Sequence, residues 1–178
     1  VITKIDLAEK NSRLEADIET YRRIGYPIHL VSSVTGEGLE ELKQALHGRL
    51  SVLVGKSGVG KTSLLNAIQP RLGLRVKAVG QGDVGKGRHT TSHLQMFELD
   101  FGGTLVDTPG MREFGLWEIA SEELAFLLPE MTSYVGQCKF GMSCRHDQEP
   151  DCAIRKAVMA GEISPYRYQS YINLREEL

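Results

Sequence analysis

Long apolar segments and abundant cysteines are both missing from this sequence, and each absence disfavours a class of protein. No apolar run approaches the roughly 20 residues that a membrane-spanning helix needs, and no secretory signal pattern opens the chain. We therefore expect a cytoplasmic protein without a membrane partner. The formal net charge is only −2, so any contact with nucleic acid is expected to use a local basic patch or residues outside this chain.

The three cysteines, Cys138, Cys144 and Cys152, lie close together near the carboxyl end. Disulfide frameworks are typical of secreted proteins with an even number of cysteines, so this cluster favours a metal site. His146 lies among them and completes the pattern C-x5-C-x-H-x5-C. Three thiolates and one imidazole form a closed tetrahedral set, which predicts one structural Zn²⁺ ion. The alternative is three buried cysteines beside a surface histidine.

The length and composition suit one globular domain with a small appendage. The chain has 178 residues, of which 41% are apolar and 25% charged. We expect an α/β domain over residues 1–132 and a helical, zinc-binding module over residues 133–178. The chain begins at Val1, inside a predicted strand rather than at an initiator Met, so we expect it to be a fragment of a longer protein.

Alternating apolar runs and helical periodicities predict a mostly parallel sheet with helices on both faces. The turn FGG between two strand-like runs predicts a hairpin, and therefore one antiparallel edge strand. Residues 73–93, rich in glycine and basic residues, are predicted to be a mobile loop. After the opening run, strands are predicted at 28–31, 51–54, 93–100 and 104–107, and helices at 11–23, 38–46, 62–68, 121–131, 152–161 and 164–178.

The clearest motif is a glycine-rich loop between a predicted strand and a predicted helix. It matches G-x-x-x-x-G-K-[ST], whose backbone N–H groups surround nucleotide phosphates. Lys61 would reach the β- and γ-phosphates and support catalysis, and the Thr62 hydroxyl would ligate Mg²⁺. The motif ends there, so no role is predicted for position 63 (Ser63). A glycine-rich turn without a ligand is the alternative. The predicted phosphate-binding residues are Gly55, Lys56, Ser57, Gly58, Val59, Gly60, Lys61 and Thr62.

Two further segments fit the phosphate end of the same site. Asp107 ends a predicted strand and begins D-T-P-G, where its carboxylate would hold Mg²⁺ and the Gly110 N–H would contact a γ-phosphate. Thr90 and Thr91 follow His89 in the predicted loop, and one of the two hydroxyls would complete the Mg²⁺ shell. The sequence leaves the choice between them open, and a polar surface loop is the alternative interpretation. Thr91 is also predicted to be a catalytic residue.

The opening segment VITKIDL contains T-K-x-D, the pattern with which nucleotide-binding enzymes recognise guanine. The Asp6 carboxylate would accept hydrogen bonds from the ring N1–H and the exocyclic amine, a pair that adenine does not offer. The Lys4 stem would pack along the base, and Thr3 completes the motif. Ser32 and Ser33 would place a backbone N–H on the guanine oxygen. Alone, T-K-x-D also fits an ordinary strand end.

The order of these motifs is unusual, because the guanine motif precedes the phosphate loop. Read as a circle, the set runs in the usual order: phosphate loop, threonine loop, D-T-P-G, T-K-x-D and the serine pair. The ligand of an α/β sheet lies at the carboxyl ends of the strands whatever their connectivity. New termini therefore preserve the site, provided that residues 33–50 bridge the former ends.

With these motifs the chain resembles the circularly permuted bacterial GTPases that depend on the small ribosomal subunit. The resemblance implies Mg²⁺-dependent hydrolysis of GTP to GDP, stimulated by the small (30S) subunit and coupled to its late maturation. It also implies contact with 16S rRNA and an RNA-binding β-barrel of the OB type upstream of Val1. We expect a monomer. The segments that carry the resemblance are TKID, SSVTGEGLEEL, GKSGVGKTSLLNAI, GRHTTSH, DTPGMREFGL, CKFGMSCRHDQEPDCAIRKAV and YRYQSY.

Two residues depart from the pattern of many GTPases. Thr3 stands where Asn commonly ties the base loop to the phosphate loop, and its hydroxyl is expected to substitute in part. Met111 stands where Gln commonly orients the attacking water, so unaided hydrolysis is expected to be slow. His89 is a candidate for the missing catalytic group, although an exposed loop histidine or an RNA contact fits at least as well.

The tail mixes basic and aromatic residues, a combination that suits RNA contact, although helical spacing fits a core role for the tyrosines equally well. Two other functions fit parts of the sequence. Met111 favours a nucleotide-gated RNA- or ribosome-binding module with negligible turnover. An ATPase with a redox-sensing cysteine tail is disfavoured by Asp6. The basic and aromatic residues are Lys139, Phe140, Arg145, Arg155, Lys156, Tyr166, Arg167, Tyr168 and Tyr171.

Overall fold

The computed structural model describes residues 1–8, 12–74, 95–107 and 119–178. The chain forms two compact units. The first comprises Val1–Ile18 and Pro27–Phe114, and the second comprises Glu19–Tyr26 and Gly115–Leu178. Within the described residues, no helix combines the length and apolarity needed to cross a membrane.

In the described residues, helices and short strands are interspersed up to Asp107, and every element from residue 119 onward is helical. Single 3-10 turns at Ile5–Leu7, Pro70–Leu72, Leu124–Leu127 and Gly141–Ser143 connect several of them. In chain order the elements are α1 (Ser12–Ile24), α2 (Leu39–Leu46), β1 (Leu50–Leu53), α3 (Lys61–Ile68), β2 (Gln95–Glu98), β3 (Thr104–Asp107), α4 (Pro129–Thr132), α5 (Ala153–Met159) and α6 (Pro165–Glu176).

The described strands form one three-stranded sheet in the order β1-β3-β2. β1 runs parallel to β3, with Val52 opposite Val106, and β2 runs antiparallel to β3, with Met96 opposite Val106. The predicted hairpin is therefore confirmed. The opening run and residues 28–31 form one parallel bridge between Ile2 and Leu30 rather than long strands. The mostly parallel sheet stays a prediction.

Apolar side chains from α2 and α3 position the glycine-rich loop. Leu42 of α2 packs in one buried cluster with Leu64 and Ile68 of α3. On the neighbouring face of α3, Leu65 packs against Leu105 of β3. Burying each such side chain stabilises the fold by about 1.5–3 kcal/mol. Because α3 packs against α2 on one face and against β3 on the other, the loop between β1 and α3 has a fixed end at α3.

The predicted continuous helix over 121–131 is wrong. A 3-10 turn ends at Leu127, and α4 begins at Pro129. Between them Leu128 has an extended backbone, with φ −100° and ψ 107°. A proline disfavours the helical conformation of the residue before it and lacks the N–H that a helix interior needs. The leucine spacing therefore continues across a backbone break.

The second unit has its own core, built around the cysteine cluster. Met131, Ile154 and Tyr171 are fully buried, and the three cysteines belong to the same cluster. The predicted helices over 152–161 and 164–178 are found as α5 and α6. A buried ion pair joins α4 to α6: Arg167 Nε lies 2.6 Å from Glu130 Oε1, with side chains 12% and 6% exposed.

Candidate functional site

The glycine-rich loop has the backbone conformation that its glycines predict. Gly60, the residue before α3, has φ 102°, a region that favours glycine. Lys61 begins α3, and its ammonium donates hydrogen bonds to the carbonyl oxygens of Gly55 at 2.5 Å and Lys56 at 3.1 Å. The Lys61 side chain thus bonds back to the start of its own loop. Thr62 follows it in the first turn of the helix.

The residue after Thr62 does not belong to the predicted site. Position 63 carries a serine, and Ser63 lies half-buried in the first turn of α3. The consensus places the Mg²⁺-binding hydroxyl directly after the lysine, which is Thr62 here. Ser63 is therefore assigned no role in binding nucleotide or Mg²⁺.

The guanine motif is hydrogen-bonded to this loop. The Thr3 hydroxyl donates to the Val59 carbonyl oxygen at 2.5 Å, and the Lys4 ammonium donates to the Gly58 carbonyl oxygen at 2.8 Å. Lys4 itself has a left-handed backbone, with φ 61°. A Cβ atom on Gly60 would lie 3.7 Å from both Thr3 Oγ1 and Lys4 Cε. The tie expected from the Thr3 hydroxyl is therefore confirmed, and the two motifs lie side by side.

Ser32 holds the Asp6 carboxylate. The Ser32 side chain is fully buried, and its hydroxyl donates to Asp6 Oδ1 at 2.5 Å. The hydroxyl oxygen also accepts the N–H groups of Val34 at 3.2 Å and Thr35 at 3.1 Å. This network fixes the hydroxyl in the turn and orients Asp6 relative to it. The sequence analysis missed this role, because it considered only the backbone of the serine pair.

The backbone N–H of Ser32 is also engaged, since it donates to the Glu37 carbonyl oxygen at 3.0 Å. The Ser32 N–H is therefore not available to a base, and a base-facing N–H stays a prediction for Ser33. Gly38 makes this turn possible. Its φ is 69°, and a Cβ atom there would lie only 1.9 Å from the Leu30 carbonyl oxygen. The sequence predicted Gly38 as the start of the helix over 38–46, whereas α2 begins at Leu39. The close approach of Gly38 to Leu30 had no local signal.

Asp107 is the last residue of β3, next to Leu53 at the end of β1. Its Oδ1 is buried and has no hydrogen-bond partner within the part of the chain that the structure describes. An unpartnered buried carboxylate oxygen suits coordination to a hard cation such as Mg²⁺. His89, Thr90, Thr91, Gly110 and Met111 lie outside the described residues, as does most of the predicted loop over 73–93.

The cysteine cluster forms a compact ligand set. One ligand atom from each of Cys138, Cys144, His146 and Cys152 lies within 4.8 Å of the others, and all four side chains are buried. Cys138 Sγ lies 3.8 Å from Cys152 Sγ and 3.4 Å from His146 Nδ1. A tetrahedral zinc site requires about 3.8 Å between two sulfurs and about 3.5 Å between sulfur and nitrogen. The geometry therefore fits a tetrahedral ion with three sulfur ligands and one nitrogen.

The electrostatics of the cluster also favour a cation. Burial raises the pKa of the Cys144 thiol to about 12 and also raises the pKa of Cys152. Burial lowers the pKa of His146, so its imidazole is neutral and able to act as a ligand. Without a cation these thiols favour the protonated form, and a bound metal ion would supply the charge that stabilises thiolates.

The structure divides the basic and aromatic residues of the tail into two groups. Tyr171 is buried and Arg167 is paired with Glu130, so both contribute to the core of the second unit. Phe140 and Tyr166 are exposed at 48% and 62%. The alternative that the tyrosines belong to the core is thus correct for Tyr171 and does not hold for Tyr166.

Sequence comparisons identify relatives of the chain. Residues 1–117 match the family described as RsgA GTPase. The chain is 48% identical to the small ribosomal subunit biogenesis GTPase RsgA of Gemmatimonas aurantiaca, over 100% of this chain and 57% of that protein. It is 45% identical to the protein of the same name from Sodalis glossinidius, over 96% of this chain and 50% of that protein. The chain thus spans about half the length of these relatives.

Solved structures show the same fold. YjeQ from Thermotoga maritima superposes with a TM-score of 0.79 at 39% identity, covering 99% of this chain and 58% of that one. YloQ, described as a circularly permuted GTPase, gives a TM-score of 0.74 at 34% identity, covering 98% and 54%. The family expected from the motifs is confirmed. The chain belongs to the RsgA GTPase family.

Proposed function

We propose that this protein binds GTP and GDP and hydrolyses GTP with Mg²⁺, and that hydrolysis is coupled to late maturation of the small ribosomal subunit. One observation carries the nucleotide part of the proposal. Thr3 and Lys4 of the guanine motif are hydrogen-bonded to Val59 and Gly58 of the phosphate loop, across 56 and 54 positions. The names of the relatives support the ribosomal part.

The base end of the site would select guanine. Asp6 would accept hydrogen bonds from the ring N1–H and the exocyclic amine, with its carboxylate held in place by the Ser32 hydroxyl. The Ser33 N–H would donate to the guanine oxygen, and the Lys4 stem would lie along the base. Adenine has an unprotonated N1, no amine at C2 and an amine in place of the guanine oxygen, so it would leave the groups of the site unpaired.

The phosphate end would bind through the backbone N–H groups of residues 55–62. Lys61 would exchange its hydrogen bonds to Gly55 and Lys56 for bonds to the β- and γ-phosphates. The oxygens of Thr62, Asp107 and either Thr90 or Thr91 would hold Mg²⁺. When bound, Mg²⁺ neutralises negative charge on the phosphate oxygens. The Gly110 N–H would contact the γ-phosphate.

Water activation is the incomplete part of the site. Met111 has no polar group with which to orient water, so hydrolysis by the protein alone is expected to be slow. The small subunit would supply or order the missing group, with His89 as the candidate within this chain. Met111 also favours the second function, a nucleotide-gated ribosome-binding module with negligible turnover.

The remaining parts of the proposal concern organisation and partners. The cysteine cluster would hold one structural Zn²⁺, because its four protein ligands leave no position open for a substrate. Residues 1–132 would form the GTPase domain, with a mostly parallel sheet, and residues 133–178 the zinc-binding module. We propose a monomer that contacts 16S rRNA in the cytoplasm, where ribosomal subunits are assembled, and has no membrane partner.

The decisive experiment is single-turnover GTP hydrolysis by the full-length protein, alone and with purified small or large subunits. A large increase with small subunits only is expected. Equal rates in all three conditions would contradict subunit-stimulated hydrolysis. If GTP still strengthened binding to small subunits in that case, the binding-module function would hold.

Asp6→Asn, which exchanges an acceptor for a donor, should shift preference from guanine toward xanthine nucleotides in the same preparations.

A further inference from the structure

His146 has an unfavourable backbone conformation. Its φ is 59°, a left-handed value that non-glycine residues rarely adopt. Its side chain nevertheless supplies the single nitrogen of the cysteine cluster, through Nδ1. A residue keeps such a conformation only when its surroundings hold it there. The contacts of residues 145–147 therefore decide whether the imidazole faces the three sulfurs.

The N–H groups on either side of His146 are held by one carboxylate. Glu149 Oε1 accepts the N–H of Arg145 at 2.9 Å, and Glu149 Oε2 accepts the N–H of Asp147 at 2.9 Å. The two bonds fix the backbone on both sides of the histidine. Burial raises the pKa of the Glu149 carboxyl, but hydrogen bonds from these N–H groups lower it. The pKa therefore lies below its ordinary value.

The carbonyl groups of Arg145 and His146 and the side chain of Asp147 are held by α6. The Tyr168 hydroxyl donates to the His146 carbonyl oxygen at 2.7 Å, and the Tyr171 hydroxyl donates to the Arg145 carbonyl oxygen at 3.0 Å. Arg175 donates to the Arg145 carbonyl oxygen and, at 3.1 Å, to the Asp147 carboxylate. The donors lie at i, i+3 and i+7, so they share one face of the helix.

We propose that α6 is the positioning element of the metal centre. Tyr168, Tyr171 and Arg175 hold residues 145–147 in the conformation that presents His146 Nδ1 to the thiolates. Metal binding and docking of α6 are then one coupled equilibrium, in which each strengthens the other by the same factor. The inference rests on the proposed zinc site and is independent of the proposed GTPase activity.

Hydroxyl deletions test the first half of this coupling in the full-length protein. Tyr168→Phe and Tyr171→Phe, singly and together, remove the donors but keep the rings that pack in the core. Loss of such outer contacts typically weakens metal binding by about 10- to 100-fold, and we expect the double variant to fall in this range. Zinc affinity is measured by competition with a chromogenic chelator. Tyr166→Phe is the matched control, because Tyr166 lies on the same helix with 62% of its surface exposed.

A spectroscopic readout separates positioning of His146 from general loss of structure. In Co²⁺-substituted protein, the double variant should keep the thiolate charge-transfer absorption and lose the ligand-field pattern of a three-sulfur, one-nitrogen site. Its visible spectrum should approach that of His146→Ala. Glu149→Gln weakens the hydrogen bonds to the N–H groups on either side of His146 without substituting a residue of α6, and it should shift the spectrum in the same direction.

Hydrogen exchange tests the other half of the coupling. Removing zinc should speed amide exchange across α6, while exchange in α3 stays unchanged. Wild-type zinc affinity in the double variant, an unaltered Co²⁺ spectrum, or equal α6 exchange with and without zinc would each overturn the coupling. A wild-type protein that takes up no zinc would overturn the metal assignment as well. None of these outcomes depends on GTP.

Discussion

The Thr3 hydroxyl donates a hydrogen bond to the Val59 carbonyl oxygen at 2.5 Å, across 56 positions of the chain. Thr3 belongs to the guanine motif and Val59 to the phosphate loop, so this bond joins two motifs that lie far apart in the chain. The carbonyl that accepts it lies inside the loop whose N–H groups are predicted to bind phosphate. The conformation of the phosphate loop is therefore coupled to that of the base-recognition loop.

Removing this bond should weaken nucleotide binding. Thr3→Val keeps the shape of the side chain and deletes the donor, at a cost of about 1 kcal/mol, or roughly a fivefold rise in the GDP dissociation constant. The measurement is the dissociation rate and affinity of a fluorescent GDP analogue. Thr3→Ser keeps the hydroxyl and serves as the control. Equal affinities for the valine and serine variants would show that the bond is not coupled to binding.

Ser32→Ala should reduce discrimination between guanine and other bases. The substitution frees Asp6 Oδ1 and leaves the N–H groups of Val34 and Thr35 without their acceptor. The loss of GTP binding free energy should be about 1–3 kcal/mol. It would be observed as weaker GTP binding and a smaller ratio of GTP to ATP affinity in competition assays. Ser33→Ala keeps the backbone N–H and should change the ratio little. An unchanged ratio in Ser32→Ala would mean that Asp6 is oriented without it.

Lys61→Ala should abolish most nucleotide affinity and turnover. Hydrogen bonds from a charged donor contribute about 1.5–3 kcal/mol each, so affinity should fall by at least about tenfold. Lys56→Ala is the matched control, because the described contact of Lys56 with Lys61 uses only its backbone carbonyl. Isothermal titration with GDP and single-turnover hydrolysis measure the two effects. Full affinity in Lys61→Ala would refute the assignment of the phosphate site.

Metal removal should loosen the second unit without abolishing nucleotide binding. The three cysteines belong to the core of that unit, and without an ion the buried ligand set loses the bonds that join its loops. We expect a chelator to lower the unfolding temperature of the second unit, measured by calorimetry. GDP affinity in the same sample should stay within about twofold, well under ~1 kcal/mol. A parallel loss of GDP binding would show that the metal also supports the nucleotide site.

Removing one partner of the buried pair of Glu130 and Arg167 should destabilise the second unit. Burial opposes the charge of Arg167, yet the hydrogen bond and charge of Glu130 raise its pKa above the ordinary value. Glu130→Gln leaves a buried guanidinium without its counter-ion, which should cost about 3 kcal/mol in urea unfolding. Lys156→Met breaks an ion pair whose side chains are 61% and 60% exposed and should cost little. A similar loss of unfolding free energy in both variants would contradict the larger cost expected for the buried pair.

Several elements could be predicted from short stretches of sequence. The motif G-x-x-x-x-G-K-[ST] and the leucine spacing predicted the glycine-rich loop and α3. The glycine turn FGG predicted the pairing of β2 with β3. The helix over 121–131 was predicted wrongly, because periodicity continued across Pro129 while the backbone did not. Periodicity depends on which side chains are apolar. The conformation of the residue before a proline depends instead on a steric clash with the proline ring, which disfavours a helix.

The supporting contacts had no comparable signal. The Ser32 hydroxyl and Asp6 are 26 positions apart, and Tyr171 lies 26 positions from the Arg145 carbonyl that it holds. Serine, tyrosine and arginine are common on protein surfaces, and their types do not reveal a partner. The spacing of Tyr168, Tyr171 and Arg175 on one helical face was the available hint. It indicated a shared face without indicating what that face contacts.

The sequence by itself determined the chemical groups of the protein and their permuted order, because phosphate loops, guanine motifs and thiolate clusters depend on residue types at short, fixed spacings. The tertiary structure alone decided which of these groups meet. Thr3 reaches Val59, Ser32 reaches Asp6, and α6 reaches the backbone of His146 only after the intervening elements have packed. Hydrogen bonds between distant residues depend on distances and angles that the cores of the two units establish together with the backbone.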